Sequence, residues 1–212
     1  QTASCHRTAW SSFSTATFDD FHNTPIKLAD RQAMLAGQWP ANSCGYCREI
    51  EQTSGTSDRH LHLDVPDLSP TELTTDSQAI QVTPTILEIY FNNTCNLGCL
   101  YCIPSLSSKI NQENSKFGEF HQNGVDLTSV KINSEHSAIV DKFWQWMSAN
   151  SQKLRRLHIL GGEPFYQSEF DQCLEYFKQQ PHPNLELNIV TNLMIDTNVL
   201  SQYIQQFKQL LS

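Results

Sequence analysis

Pro84 marks a change of texture in the chain. Upstream, polar residues dominate and apolar runs are brief. Downstream, short β-branched and aromatic runs alternate with longer stretches in which apolar residues recur every three or four positions. Thr85 to Asn92, with Ile86, Leu87, Ile89, Tyr90 and Phe91, reads as a buried strand. Residues 136–149 carry Ile139, Phe143, Trp146 and Met147 on one helical stripe. A second strand is expected from Arg155 to Leu160. A helix follows with Tyr166, Phe170, Cys173, Leu174 and Phe177 on its apolar face, which makes Cys173 a core thiol, and Pro181 and Pro183 stop it. Leu185 to Thr191 is the third expected strand, and a last helix places Leu200, Tyr203, Ile204, Phe207 and Leu211 at core spacing.

Strand, helix, strand, helix, strand, helix predicts an α/β fold with a parallel sheet. In such sheets the chemistry gathers in the loops at the carboxyl ends of the strands. Residues 103–135 are rich in Ser, Asn and Gln without sustained periodicity, and read as a polar insertion: a substrate-binding lid or a surface loop. The pattern divides the chain into a small module over 1–59, a polar Ser-, Thr- and Asp-rich linker over 60–83, and a core over 84–212. Within the first module a helix is expected from about Lys27 to Gly37.

Composition narrows the partners. A net charge of -8 over 212 residues argues against sequence-independent nucleic-acid binding, which needs clustered Lys and Arg. No apolar run approaches the length of a membrane span, so no membrane partner is expected. Seven cysteines are an odd count for a disulfide scaffold of this length. Their close spacing argues against it too, and bound iron-sulfur clusters would require a reducing compartment, so a cytoplasmic location is expected.

The densest group is Cys95-Asn96-Leu97-Gly98-Cys99-Leu100-Tyr101-Cys102, directly after the first strand. An electron-transfer cluster takes four cysteines. Three at i, i+4 and i+7 would leave one iron open to a small molecule. This octet, with an aromatic just before its last cysteine, resembles the cluster loop of the radical S-adenosylmethionine (radical SAM) superfamily. The resemblance extends to Gly161-Gly162-Glu163-Pro164 at the second strand end and Thr191-Asn192 at the third.

What the resemblance implies is specific. Cys95, Cys99 and Cys102 would hold a 4Fe-4S cluster whose open iron binds SAM. The backbone of Gly161 and Gly162, with Glu163 and Pro164, would meet the methionine end of SAM. Thr191 and Asn192 would contact it further along, and Tyr101 would lie beside the adenine. The reaction would be reductive cleavage of SAM to a 5'-deoxyadenosyl radical that abstracts hydrogen from substrate. A strong reductant such as ferredoxin or flavodoxin would supply the electron. Read without the family, the glycine pair is a tight turn, Glu163 a cap for the next helix, and Tyr101 a residue packing the loop.

The first module carries Cys5, Cys44 and Cys47. A Cys-x-x-Cys turn presents two thiolates to one metal, and with Cys5 and perhaps His6 it could form a structural zinc site. Met34-Leu35-Ala36-Gly37-Gln38-Trp39-Pro40, Cys44-Gly45-Tyr46-Cys47, Glu51 and Ser57-Asp58-Arg59 resemble instead the twitch or SPASM-like auxiliary module of radical SAM enzymes. That implies a second iron-sulfur cluster. Such modules usually carry a further cysteine, which residues 11–43 lack, so His6, Asp20, His22, His60 or substrate would complete the set.

An eight-stranded barrel takes about 250 residues, or roughly 30 per βα unit. The resemblance implies a partial (βα) barrel, of which residues 85–212 carry about three units, so the expected fold is such a barrel truncated to that number, plus the small cluster module. Auxiliary modules accompany enzymes acting on peptide or protein side chains, which makes that the expected substrate class. The alternatives are a nucleotide or small metabolite as substrate, or a zinc-binding interaction module without catalysis. Cys95, Cys99 and Cys102 separate the last from the others, because a zinc knot leaves an open three-cysteine loop unexplained.

Overall fold

The computed structural model describes residues 23–40, 43–57, 60, 83–119 and 136–210. Cys5, His6, Asp20, His22 and Leu211, each considered in the sequence, lie outside them. The chain divides into two compact units, Gln1–Thr83 and Pro84–Ser212.

In the first unit, helix α1 spans Pro25–Leu35. Thr24 starts it, its hydroxyl accepting from the Lys27 amide at 3.4 Å, and Pro25 sits where a missing N–H costs nothing. Gly37, at φ 72°, turns the chain away after it. Asp30 and Arg31 are buried on this helix. Ser43 donates its hydroxyl to Asp30, and Arg31 Nη1 donates to Asn23 Oδ1 at 2.9 Å. The Ser43–Asp30 bond fixes the entry to helix α2, Gly45–Ser54. The Cys-x-x-Cys segment, expected as a turn, is the beginning of this helix. Cys44 is its N-cap and buried, while Cys47 lies in the first turn and is half-buried.

In the second unit, strands β1 (Ile86–Tyr90), β2 (Arg156–Leu160) and β3 (Glu186–Ile189) form a parallel sheet in that order. The expected α/β pattern and parallel pairing are both present. Leu87 pairs with Leu157 and Ile89 with Ile159, so the apolar positions of neighbouring strands share one face. Among the described residues four helices accompany the sheet: α3 (Ser108–Phe117), α4 (His136–Asn150), α5 (Ser168–Gln179) and α6 (Thr197–Leu210).

The core contains Leu157 and Ile159 from the sheet, Phe143, Trp146 and Met147 from α4, and Phe170, Cys173, Leu174 and Phe177 from α5. Phe91, just beyond β1, meets Phe143 edge-on at 5.5 Å between ring centres. Phe165 stacks on Tyr203 at 4.5 Å and joins α6 to the sheet end.

Three expectations change. Tyr166 is half exposed and lies in a 3-10 turn, Pro164–Tyr166, ahead of α5. The buried aromatic of that turn is Phe165. Ile204 is exposed on α6, whereas Tyr203 beside it is buried as its core spacing predicts. The polar insertion begins with ordered structure, a 3-10 turn at Pro104–Leu106 followed by α3. Helix α3 has no apolar stripe because it is held by hydrogen bonds, and its one aromatic, Phe117, faces solvent.

Candidate functional site

Three loops leave the carboxyl ends of the strands, and hydrogen bonds knit them together. The first runs from Phe91 through the cysteine octet. Thr94 N–H donates to Asn92 Oδ1 at 2.8 Å, a turn that asparagine makes with its own backbone. Asn93 is buried and donates through Nδ2 to the Pro104 carbonyl at 3.0 Å. The start of α3 then grips the octet. Cys95 N–H donates to Ser108 Oγ at 3.0 Å, and Ser107 donates its hydroxyl to the Leu97 carbonyl at 2.8 Å. Cys102 N–H closes a turn on the Cys99 carbonyl at 3.0 Å.

Cys95, Cys99 and Cys102 are free, half-buried thiols. Burial pushes the Cys102 thiol up. A hydrogen bond with the Ile103 backbone opposes this, and the neighbouring Cys95 and Cys99 add to the rise. Cys95 Sγ faces two N–H donors, Leu97 N at 3.5 Å and Asn192 Nδ2 at 3.9 Å. Tyr101 is exposed instead of packing the loop. Its hydrogen bond to Cys99 raises its phenol, and the charge of Cys99 acts the same way. Among the described residues no group of three or more His, Cys, Asp or Glu side chains is arranged to hold a metal ion. Sharing one cluster therefore requires the three thiols to turn toward one another. The donor set suits that cluster in its chemistry: three soft thiols on eight residues, with N–H donors already aimed at one of them.

The second loop is Gly161-Gly162-Glu163-Pro164. Both glycines are left-handed, at φ 79° and 58°. A Cβ on Gly161 would lie 2.4 Å from Tyr90 Cδ1, and one on Gly162 would lie 2.4 Å from the Thr94 carbonyl oxygen. The pair thus lets the exit of β2 lie directly against the exit of β1. Gly162 N–H donates to the Leu106 carbonyl at 3.0 Å and Glu163 N–H to the Thr94 carbonyl at 2.7 Å. Gln167, also buried, donates through Nε2 to the carbonyls of Gly161 at 2.9 Å and Asn92 at 3.3 Å.

Glu163 is fully buried. Its Oε1 accepts from Thr191 Oγ1 at 2.6 Å and from Phe165 N–H at 3.2 Å, and its Oε2 accepts from Asn192 N–H at 2.7 Å. The Phe165 bond is the helix-capping role, and Pro164, buried, opens the 3-10 turn behind it. A carboxylate offers about four lone-pair sites. Three are engaged here by neutral donors of this chain.

The third loop follows β3. Asn192 Nδ2 donates to Asn96 Oδ1 at 3.0 Å, Asn96 Nδ2 donates to the Met194 carbonyl at 2.7 Å, and Tyr166 donates its hydroxyl to the same carbonyl at 3.2 Å. Leu193 is left-handed at φ 56°, held there by bonds from Leu193 N to Thr191 Oγ1 and from Met194 N to Asn192 Oδ1.

The structure thus brings together Cys95, Cys99, Cys102 and Tyr101 on one loop, and joins that loop to Gly161, Gly162, Glu163, Pro164, Thr191 and Asn192. The octet's supporting residues Asn96, Ser107, Ser108 and Gln167 were missed. Ser107 has a sequence signal, as a helix-starting residue three positions ahead of Ile110. In the first unit, Cys44 and Cys47 share one helix turn. His60 accepts from Ser57 N–H through Nδ1 at 3.2 Å and lies 3.6 Å from Glu51. His136 bonds the Phe91 carbonyl through Nε2 at 2.6 Å. No described helix is long and apolar enough to cross a membrane.

Over 122 residues the chain is 21% identical to the radical SAM cyclopropyl synthase TigE of Paramaledivibacter caminithermalis, covering 57% of this chain. The same stretch is 25% of that protein, so the match spans about a quarter of the relative's length. No family model and no solved structure matches. The similarity is distant, and it points to the superfamily that the cysteine octet resembles.

Proposed function

We propose that this chain acts as a radical SAM enzyme, with Cys95, Cys99 and Cys102 holding a 4Fe-4S cluster and its open iron binding SAM. The observation that carries the reading is the joining of the octet to the two other strand-end loops through Glu163 and Asn192. When bound, such a cluster supplies the electron that cleaves SAM reductively to a 5'-deoxyadenosyl radical.

The chain's own residues bind and orient. The Gly161 carbonyl, with a lone pair beyond its bond to Gln167, accepts from the SAM ammonium. Glu163 holds the strand ends in place from behind, and Pro164 fixes the turn. Thr191 and Asn192 line the path further along, and Tyr101 covers the adenine. In this reading residues 1–59 form an auxiliary cluster module using Cys5, Cys44 and Cys47, residues 60–83 a linker, and residues 84–212 the radical SAM core as part of a partial barrel. The substrate is a peptide or protein side chain, and a ferredoxin- or flavodoxin-like protein is the electron donor.

Anaerobic reconstitution tests the reading. Wild type should hold roughly eight irons with matching sulfide, and a Cys95→Ala/Cys99→Ala/Cys102→Ala variant roughly four. Wild type alone should release 5'-deoxyadenosine from SAM under strong reductant. An unchanged iron content in the triple variant would remove the octet from the cluster. Iron without SAM cleavage would end the enzymatic claim.

A further inference from the structure

Asn192 is committed to the octet by geometry that leaves its amide only one orientation. The Met194 carbonyl accepts and cannot donate, so Asn96 must turn Nδ2 toward it, which points Asn96 Oδ1 at Asn192. Asn192 must therefore present Nδ2. The Met194 N–H demands the same from the other end, because it requires Asn192 Oδ1. Two independent backbone groups thus fix an NH2 group between Asn96 Oδ1 at 3.0 Å and Cys95 Sγ at 3.9 Å. One hydrogen serves each acceptor. The backbone of Asn192 is pinned as well, through the 2.7 Å bond to buried Glu163.

We infer that Asn192 is a positioning residue that sets the reduction potential of the octet cluster by donating an N–H···S hydrogen bond to Cys95. This rests on the cluster reading proposed above and adds a role for Asn192 besides lining the SAM path. Hydrogen bonds to a ligating sulfur draw electron density from the metal, stabilise the reduced state and raise the potential. Leu97 N–H already reaches the same sulfur at 3.5 Å, so Cys95 is the corner of the cluster with two N–H donors. The link also makes the potential depend on the β3 loop, the segment that carries Thr191.

The test is an EPR-monitored redox titration of reconstituted full-length protein, with the octet signal identified as the one absent from the triple cysteine variant. Asn192→Ala should keep the wild-type iron content and shift the midpoint potential of that signal downward. Asn96→Ala breaks the same inter-loop clasp but keeps the Asn192 amide, and should leave the midpoint nearly unchanged. An unshifted Asn192→Ala, or an equal shift in Asn96→Ala, would overturn the inference. If Asn192→Ala loses iron, the neutral Asn192→Ser, whose hydroxyl can still accept from Met194 N–H but is too short to reach Cys95, decides: a lower midpoint supports the role and an unchanged one refutes it. If the triple cysteine variant loses no iron, the cluster reading itself fails and this inference falls with it.

Discussion

Thr191 donates its hydroxyl to Glu163 at 2.6 Å, joining the end of β3 to the end of β2 through a carboxylate closed to water. The same carboxylate accepts the N–H groups of Asn192 and Phe165, so one side chain satisfies three donors from two loops. Glu163→Ala would leave all three donors without their acceptor. Unsatisfied buried donors cost about 1–3 kcal/mol each, which sets the expected loss at about 3 kcal/mol or more. Glu163→Gln, which keeps the volume but turns an NH2 toward a donor, should lose less. Urea unfolding measures both, and a loss below about 1 kcal/mol for Glu163→Ala would show that the carboxylate does not hold the loops.

Gly162 and Gly37 are both left-handed, at φ 58° and 72°, but only Gly162 is crowded. A Cβ at Gly37 meets nothing within 4 Å, whereas one at Gly162 falls 2.4 Å from the Thr94 carbonyl and 2.7 Å from Gln167 Nε2. Gly37→Ala should therefore cost only the left-handed strain, about 1 kcal/mol. Gly162→Ala adds displacement of backbone next to Cys95 and should cost at least twice as much. Equal losses in parallel denaturation curves would mean that the clash relaxes freely.

Much of this arrangement could be read in the sequence. β-branched runs located the three strands, and period-3.6 stripes located α4, α5 and α6, because apolar burial is what forms those elements. Helix α3 escaped because hydrogen bonds from Ser107 and Ser108 hold it, and they leave no apolar period. The exchange of Tyr166 for Phe165 as the buried ring follows from the 3-10 turn, which shifts the phase of the pattern before α5 begins. In the site, the chemical groups were visible as motifs, but Asn96 and Gln167 act across long sequence separations that no local spacing encodes.

Cys173 lies wholly inside the core, and burial raises its thiol from 9.0 to about 12. The folded state keeps the thiol neutral while the unfolded chain ionises it. The resulting stability is fully present below pH 9.0 and is lost as pH rises toward about 12. Between those values the group should contribute a slope of up to about 1.4 kcal/mol per pH unit. Comparing wild type with Cys173→Ala over that range isolates it from other titrating groups, and parallel curves would contradict the burial. Native protein should also react with iodoacetamide at Cys95, Cys99 and Cys102 far faster than at Cys173.

Ser108 both accepts the Cys95 N–H at 3.0 Å and donates to the Cys95 carbonyl at 3.3 Å, so a single hydroxyl brackets the first cysteine of the octet. Ser108→Ala removes both bonds and leaves the backbone of Cys95 to find water. The local cost is about 1–2 kcal/mol, equivalent to roughly a tenfold or greater rise in opening of the loop. Ser115, exposed on the same helix and bonded only to the Asn111 carbonyl, is the matched control. Native-state hydrogen exchange should show protection of the Cys95 amide falling by about that factor in Ser108→Ala and holding in Ser115→Ala. Unchanged protection would mean that the octet is held by the strand-end loops alone, with α3 a passive neighbour.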